Sequence, residues 1–241
     1  MIEPLYDELS ELWLTLSPPE QYAEAGELYA AALAQAAGGH IGSLLELGAG
    51  AGHLAASLPG GWRLTLVDRA PRMLALCAGI VPRAERILGD MRSLRLGRTF
   101  DAVLLQDAVM YLRSEQELRE AFATAAAHLR PGGALLVVPD TVAEDFEEHC
   151  VMGGRSEGTR AAQLMEWHWD PDPSDTTYQV DFAALIRDSG GLVRCAHDRH
   201  TLGLFPASTF ARLLQAAGFE LLEPEAAIWT ETGVPFLARR S

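Results

Sequence analysis

The stretch that decides the fold is Ser43-Leu44-Leu45-Glu46-Leu47-Gly48-Ala49-Gly50-Ala51-Gly52-His53-Leu54. It starts as an apolar run of strand length, breaks into glycines at alternate positions, and continues as an Ala/Leu run typical of a helix. Glycine tolerates positive φ and lets a ligand come close to the backbone. The free N–H groups at the start of a helix bind anionic or polar ligands. The stretch therefore predicts a strand, a tight turn and a helix, with a nucleotide-type ligand at the turn.

The spacing of the glycines distinguishes two kinds of nucleotide site. The dinucleotide pattern G-x-G-x-x-G would place its third glycine at position 53, where this chain has His53. The pattern here is E-x-G-x-G-x-G, with Glu46 ahead of the first glycine. This spacing argues against an NAD site, although NAD-dependent oxidoreduction stays open because Asp68, at the end of the next strand, would suit its ribose as well.

Composition narrows the functional classes. At 241 residues with 49% hydrophobic residues, the chain is long enough for one large domain or one domain with an insertion. The net charge of −14 offers no basic surface for a nucleic acid. All 19 basic residues are arginine, which excludes lysine Schiff-base chemistry and the P-loop lysine.

Cysteine usage and the acidic start of the chain indicate a cytoplasmic protein. Cys77, Cys150 and Cys195 form no close pair, as expected of free thiols in a reducing compartment. No run resembles a signal peptide or reaches the length of a membrane span. We expect no metal site either, because His197 and His200, three apart in an extended run, face opposite sides.

Strands alternate with helices through the first two thirds of the chain. The predicted strands are residues 42–47, 62–68, 84–88, 100–105 and 134–138, and helices are predicted over 20–37, 53–58, 71–78, 115–129 and 206–217. Two more strands follow Phe219, around a turn at Thr232-Gly233. This alternation predicts an α/β fold with a doubly wound, mostly parallel sheet.

Residues 141–203 interrupt that pattern. They contain extended runs at 167–170, 176–187 and 192–203, and the second run alternates apolar with mostly polar residues. We predict a single domain over 1–241, with 141–203 as an antiparallel β insertion after strand five that forms a lid over the substrate. Its exposed sheet could also serve as a homodimer contact.

Acidic residues follow two successive strands after the glycine turn. Asp68 ends strand two, where a carboxylate can accept both ribose hydroxyls, and Arg69 follows it. Met73, one turn later, can pack on an adenine face. Asp90, in Gly89-Asp90-Met91, can accept from the adenine amino group. Helix capping would explain Asp68 alone and a turn would explain Asp90 alone, but together they predict a nucleoside site at the carboxyl edge of the sheet.

The motifs over residues 42–138 resemble those of the class I S-adenosylmethionine (SAM) dependent methyltransferases. The resemblance rests on Glu46–Gly52, on Asp68 and Asp90, and on the segments 106–111 and 129–134. It implies a Rossmann-like, seven-stranded methyltransferase sheet and SAM as the cofactor. It also implies that the backbone around Gln106 holds the methionine end of SAM.

The flanking segments resemble the bacterial deoxyaminosugar N,N-dimethyltransferases. Residues 20–25, the position of the insertion and residues 198–205 carry this likeness. It implies that Tyr22 helps to cover the cofactor and that the insertion walls the substrate pocket. The cofactor-binding residues expected in total are Tyr22, Glu46, Gly48, Gly50, Gly52, Asp68, Arg69, Met73, Asp90, Met91 and Gln106.

The expected chemistry is methyl transfer to a small-molecule acceptor, most plausibly an amine. The SAM sulfonium carries its own leaving group, so the protein mainly has to align the reactants. An amine must also lose a proton, for which Asp107 and His200 are the candidate catalytic residues. The alternative roles are helix capping for Asp107 and a structural hydrogen bond for His200.

Two further functions stay open. The first is O-methylation of a small carboxylate or hydroxyl, as in trans-aconitate methyltransferases, which Arg155 and Arg160 would favour if they pointed into the pocket. The second is SAM binding without turnover. Trp167 and Trp169 share one strand face, where they could stack on a substrate or pack on the core.

Overall fold

A computed structural model describes residues 2–223 and 234–241 of the chain. Its strands are β1 Ser43–Leu47, β2 Arg63–Asp68, β3 Glu85–Leu88, β4 Phe100–Gln106, β5 Leu129–Val138, β6 His149–Glu157, β7 Arg160–Trp169, β8 Thr177–Arg187, β9 Val193–Gly203, β10 Phe219–Leu222 and β11 Phe236–Arg240. Its α-helices are α1 Leu12–Leu16, α2 Ala23–Ala36, α3 His53–Ser57, α4 Pro71–Ile80, α5 Glu115–His128 and α6 Ala207–Ala216. Short 3₁₀-helices span Pro4–Tyr6, Pro19–Tyr22 and Ala108–Tyr111.

Seven strands form one mixed sheet in the order β10-β11-β5-β4-β1-β2-β3. All neighbouring pairs from β5 to β3 are parallel, and β11 runs antiparallel to β5 and β10. The predicted α/β fold with a mostly parallel seven-stranded sheet is confirmed. The strand order reverses at β1, which lies between β2 and β4, and a ligand crevice opens at such a switch point.

Both faces of this sheet are covered, so its central strands are apolar on both sides. Leu45 of β1 belongs to a core with α5 and α6, whereas Leu44 belongs to a core with α2 and α3. Both leucines are fully buried. Near-continuous hydrophobic runs are expected of parallel strands with helices on both faces. None of the helices in the described ranges is both long enough and apolar enough to cross a membrane.

The insertion folds into a second, antiparallel sheet in the order β6-β7-β8-β9. The alternating residues of β8 that the sequence pattern selected, from Tyr178 to Ile186, are buried and join the core of the large sheet. Strand β6 was not predicted, since Gly153-Gly154 interrupts its pattern, and β7 starts at Arg160 rather than at Trp167. The turn predicted at Thr232-Gly233 lies outside the described residues.

The amino ends of β1 and β4 are joined by the carboxylate of Asp101. It accepts hydrogen bonds from the backbone N–H groups of Gly42 (3.0 Å) and Ser43 (2.9 Å), and Arg130 donates to it at 2.7 Å. Partial burial alone would raise the pKa of Asp101, but these donors together lower it to about 2. This carboxylate therefore stabilises the folded state as long as it is ionised.

We expect Asp101→Asn to lower the free energy of unfolding at pH 7 by about 1–3 kcal/mol, because charged hydrogen bonds are lost. The folded-state pKa is lowered, so the contribution is complete above the unfolded pKa near 4 and disappears as the pH falls towards 2. Urea unfolding at pH 7 and pH 3 should show a difference between variant and wild type that shrinks at pH 3.

Glu220→Gln is the matched control, because it removes an exposed ion pair with Arg239 that is worth at most about 1 kcal/mol. A difference for Asp101→Asn as small as that of the control would contradict the stabilising role of Asp101.

Candidate functional site

A cavity of about 470 Å³ opens at the carboxyl ends of β1, β2, β3 and β4. Most of the residues that the sequence selected meet there: Tyr22, Glu46, Gly48, Gly50, Asp68, Arg69, Met73, Asp90, Met91, Gln106 and Asp107 all line it. Gly52 and His200 are not on its wall. The residues are far apart in sequence, and the switch point of the sheet brings them together.

The glycine turn between β1 and α3 is held tightly on β2. The N–H groups of Gly48 and Ala49 both donate to the carbonyl of Val67, at 2.8 and 2.9 Å. Gly48 has a φ of +86°, and a Cβ there would lie 2.2 Å from the Cβ of Ala108. Only glycine fits at position 48, and the backbone of the turn is left open to the cavity.

Gly52, which does not line the cavity, packs against α4. It precedes α3 with a φ of +81°, and a Cβ there would lie 2.8 Å from the sulfur of Cys77 on α4. This glycine permits close packing of α3 on α4.

Asp68 closes the turn from the side of β2. One carboxylate oxygen accepts from the N–H of Gly50 at 2.7 Å and the other from the N–H of Ala70 at 2.8 Å. Burial raises the pKa of Asp68, although these two hydrogen bonds oppose the shift. The backbone N–H of Arg69 also bonds to this carboxylate, which leaves it with acceptor capacity for a hydroxyl from the cavity.

Asp90 is held by an arginine two residues away. The guanidinium of Arg92 donates to both of its oxygens, at 2.6 Å in the shortest contact, and also pairs with Glu117. This arginine lowers the pKa of Asp90. The carboxylate is therefore ionised and fixed at the edge of the cavity.

Glu46 and His53 each present a buried polar atom with no hydrogen-bond partner among the described residues. These atoms are Oε2 of Glu46, which is 3% exposed, and Nε2 of His53. Burial, followed by the negative charge of Asp68, raises the pKa of Glu46 to about 8. Burial also lowers the pKa of His53. Because buried polar groups are normally paired, these two atoms make the cavity wall suited to a polar ligand.

Asp107 lies at the end of β4 in a conformation that is rare for residues other than glycine. Its φ is +49°, and its N–H donates to the carbonyl of Val138 at 3.0 Å. Its carboxyl accepts from the amide of Gln106 at 3.1 Å and shares a hydrogen bond with the carboxyl of Asp140. Burial and the neighbouring Asp140 raise the pKa of Asp107 well above its usual value. A hydrogen bond between two carboxyl groups requires a proton, so this pair retains one.

His200 lies behind the cavity wall, with a fully buried side chain. Its Nε2 is 2.9 Å from the carboxylate of Asp198, and its Nδ1 is 2.7 Å from the hydroxyl of Tyr111. Tyr111 does line the cavity, and so does Tyr6, whose hydroxyl is 2.6 Å from that of Tyr111. His200 can therefore reach a ligand only through Tyr111.

Residues 2–13 contribute a wall of the cavity that the sequence patterns did not indicate. Tyr6 stacks on Trp13, with ring centroids 5.9 Å apart, and both line the cavity. Glu3 pairs with Arg69, so the segment is joined to the loop after β2. Isolated aromatic residues in a short, non-periodic segment give little signal before the fold is known.

Several alternatives from the sequence find no support at the cavity. Arg155 and Arg160 are exposed on the small sheet and do not line it. Trp169 lies on the outer side, where it donates to Asp181 at 2.8 Å. No group of three metal-ligating side chains occurs within residues 2–223 and 234–241.

The cavity fits SAM in its chemistry. Asp68 and Asp90 offer carboxylate acceptors for hydroxyl and amino groups, Met73 and Met91 offer apolar surface, and Glu46 offers an unpaired carboxyl for a cationic group.

Comparison with known proteins supports the same cofactor. Residues 44–133 match the methyltransferase domain family. The chain is 34% identical over 144 residues to the Streptomyces venezuelae dTDP-3-amino-3,4,6-trideoxy-α-D-glucopyranose N,N-dimethyltransferase. The alignment covers 58% of this chain and 59% of that enzyme, so the chain spans less than two thirds of this relative's length. It is 29% identical over 207 residues to the Streptomyces fradiae dTDP-3-amino-3,6-dideoxy-α-D-glucopyranose N,N-dimethyltransferase, covering 84% of this chain and 78% of that one.

A solved structure extends the similarity to nearly the whole fold. The SAM-bound amino pentose methyltransferase CalS10 from Micromonospora echinaspora superposes with a TM-score of 0.77 at 26% identity, covering 91% of this chain and 92% of that one. Over residues 44–133 the chain is therefore similar to the methyltransferase domain family.

Proposed function

We propose that the chain transfers the methyl group of SAM to an amine nitrogen on a small, sugar-like acceptor. The observation that carries this proposal is the carboxyl of Asp107, which lies on the cavity wall beside Gln106 and has a raised pKa. An ionised carboxylate with a raised pKa is a better proton acceptor for an amine than an ordinary aspartate.

We assign roles first to the part of the cavity lined by Asp68, Met73, Asp90 and Met91, called the cofactor half. Asp68 accepts the ribose hydroxyls and Asp90 the adenine amino group, while Met73 and Met91 pack on the adenine. The open backbone at Gly48 and Gly50 lies beneath the methionine end, next to Gln106. Arg69 and Tyr22 close this half from outside, and Gly52 supports it from behind by packing on α4.

We call the part of the cavity beside Asp107 the acceptor half. In this proposal the chain is a single domain, and its insertion over residues 141–203 is the lid of the acceptor half. Thr201 of β9 lines the cavity, and the inner face of the small sheet packs on the core of the large one. Its outer face exposes Met152, Met165 and Trp167. We infer that this outer face is the contact between two copies of the chain.

The transfer needs alignment and one proton acceptor. Bound SAM supplies an electrophilic methyl group and a neutral thioether as the leaving group. The amine lone pair forms the new C–N bond as the C–S bond breaks, and the methylated nitrogen then carries an extra proton. Once the pair of Asp107 and Asp140 has lost the proton that it shares, Asp107 takes the proton of the methylated nitrogen and passes it to solvent.

The names of the relatives indicate the acceptor class. The Streptomyces venezuelae and Streptomyces fradiae enzymes are N,N-dimethyltransferases of dTDP-linked 3-amino deoxysugars. We carry the amine and the deoxysugar ring over to this chain as its proposed acceptor. O-methylation of a carboxylate receives no support, since Arg155 and Arg160 lie away from the cavity.

The first test uses dTDP-3-amino-3,4,6-trideoxy-α-D-glucopyranose and SAM with a labelled methyl group. We expect label on the sugar nitrogen by mass spectrometry, in one and then two methyl groups. The 3-hydroxy analogue is the control acceptor and should stay unlabelled. Equal labelling of the analogue, or NAD binding with no SAM binding in calorimetry, would overturn the proposal.

Asp107→Asn should lower kcat by about 10–100-fold, because the amide cannot take the proton. The affinity for SAM should stay within about twofold, since this residue faces the acceptor side. Stopped assays from pH 6 to pH 9 should show that kcat of the wild type rises as the carboxyl ionises, whereas the variant lacks this rise. Asp145→Asn, at an exposed position, is the control. An unchanged kcat in Asp107→Asn would mean that alignment alone is sufficient.

Glu46→Gln tests the cofactor half by the number of protons that are released when SAM binds. With a pKa of about 8, the carboxyl of Glu46 is largely protonated at pH 7, and a cationic ligand beside it favours the ionised form. We therefore expect SAM binding at pH 7 to release about one proton from the wild type and none from Glu46→Gln. Calorimetry in phosphate and in Tris measures this release, and buffer-independent heats for the wild type would contradict it.

A further inference from the structure

Four side chains form a continuous line of hydrogen bonds from the interior to the cavity. Asp198 contacts Nε2 of His200 at 2.9 Å, and Nδ1 of His200 contacts the hydroxyl of Tyr111 at 2.7 Å. The Tyr111 hydroxyl contacts that of Tyr6 at 2.6 Å. The two tyrosines line the cavity, whereas His200 and Asp198 are buried behind them. This line of hydrogen bonds therefore connects the buried end to the cavity.

The buried end fixes the direction of every bond in the line. The Asp198 carboxylate also accepts hydrogen bonds from the backbone N–H groups of Leu5 (2.8 Å) and Arg199 (2.9 Å). A carboxylate can only accept, so Nε2 of His200 carries the hydrogen. In a neutral imidazole the other nitrogen is then an acceptor, so the hydroxyl of Tyr111 donates to Nδ1.

The same logic extends to Tyr6. A hydroxyl has a single hydrogen, and that of Tyr111 is committed to His200. The Tyr111 oxygen must therefore accept the hydrogen of the Tyr6 hydroxyl, which leaves Tyr6 with lone pairs and no hydrogen to offer to the cavity.

We propose that Asp198, His200 and Tyr111 are positioning residues that make the Tyr6 hydroxyl an acceptor-only group, which selects a nucleophile with a hydrogen to donate, here the N–H of an amine. The choice of an amine as substrate rests on the proposed function, whereas the direction of the hydrogen bonds does not depend on it. A primary or secondary amine donates an N–H to Tyr6, which restricts the directions available to the nitrogen lone pair. A tertiary amine or an ionised carboxylate has no hydrogen to donate, so methylation ends at the dimethylated amine.

Packing and charge favour a positioning role over a proton route. Burial raises the pKa values of both Tyr6 and Tyr111, so neither hydroxyl gives up its proton at neutral pH. The ring of His200 packs against Phe182 (4.6 Å) and Tyr6 (5.4 Å) between ring centroids. The Leu5 N–H that bonds to Asp198 belongs to the 3₁₀-helix that carries Tyr6. The orientation of Tyr6 is therefore set before an acceptor arrives, and such alignment lowers the barrier to reaction.

The tautomer of His200 is the direct test, and it needs no substrate. Long-range ¹H–¹⁵N correlation spectra of the full-length protein at pH 8 distinguish the two neutral tautomers and the imidazolium. The His200 signal is assigned by its absence in His200→Gln. We expect hydrogen on Nε2 and an unprotonated Nδ1. A hydrogen on Nδ1, in either the neutral or the charged ring, would overturn the proposal.

Kinetics with dTDP-3-amino-3,4,6-trideoxy-α-D-glucopyranose supply the second readout. His200→Leu should raise KM for this amine about tenfold, the effect of one lost hydrogen bond, without changing the Kd for SAM. Tyr6→Phe should raise this KM to a similar extent. His200→Gln should restore KM to within about threefold of wild type, because the amide can donate to Asp198 and accept from Tyr111.

The outcomes separate this proposal from the proposed function. If His200→Leu fails to fold, the spectrum of the wild-type protein still decides the tautomer. If no amine is methylated but Nε2 carries the hydrogen, the proposed function fails and the hydrogen-bond direction stands. If the amine is methylated and folded His200→Leu keeps the wild-type KM, or the product is trimethylated, the positioning role fails alone.

Discussion

The cofactor site depends on three backbone N–H groups of the glycine turn, which are fixed on β2. Gly48 and Ala49 donate to Val67, and Gly50 donates to the carboxylate of Asp68. These bonds determine the path of the chain between β1 and α3 and hold Asp68 at the rim. They need a residue with positive φ and no side chain at position 48, where a Cβ would overlap Ala108. One local constraint therefore sets both the open backbone and the carboxylate beside it.

The fixed turn also explains the unusual charges around it. Glu46 is buried because β1 lies at the centre of the sheet and is covered on both faces. This burial raises the pKa of its carboxyl. On the acceptor side, Asp107 and Asp140 are close enough to share a proton. A cation bound nearby offsets the repulsion between neighbouring carboxylates, so that they can be ionised. The sulfonium of SAM and the ammonium formed by the proposed transfer are both suited to such an environment.

The residues expected to hold the cofactor could be placed at one cavity from the sequence because their signals are local. Each residue there follows a strand within a few positions, and parallel strands end at one edge of the sheet, so Asp68, Asp90 and Gln106 could be placed together in advance. A spacing motif does not distinguish a glycine that opens the backbone, as Gly48 does, from one that lets two helices pack, as Gly52 does. Strand β6 was missed because Gly153-Gly154 hides its alternation.

The acceptor half could not be predicted in the same way, because its parts come from distant segments. The N–H of Leu5, the hydroxyl of Tyr111 and the ring of His200 meet only after the insertion has folded over the large sheet. No spacing in the sequence encodes that meeting, and His200 taken alone suggests a base at the cavity wall. The fold instead buries it, so that in the proposed arrangement its effect on a substrate passes through the direction of hydrogen bonds. In that arrangement cofactor recognition resides in short motifs along β1 to β4, while selection of the acceptor depends on how the insertion and the first residues of the chain pack against each other.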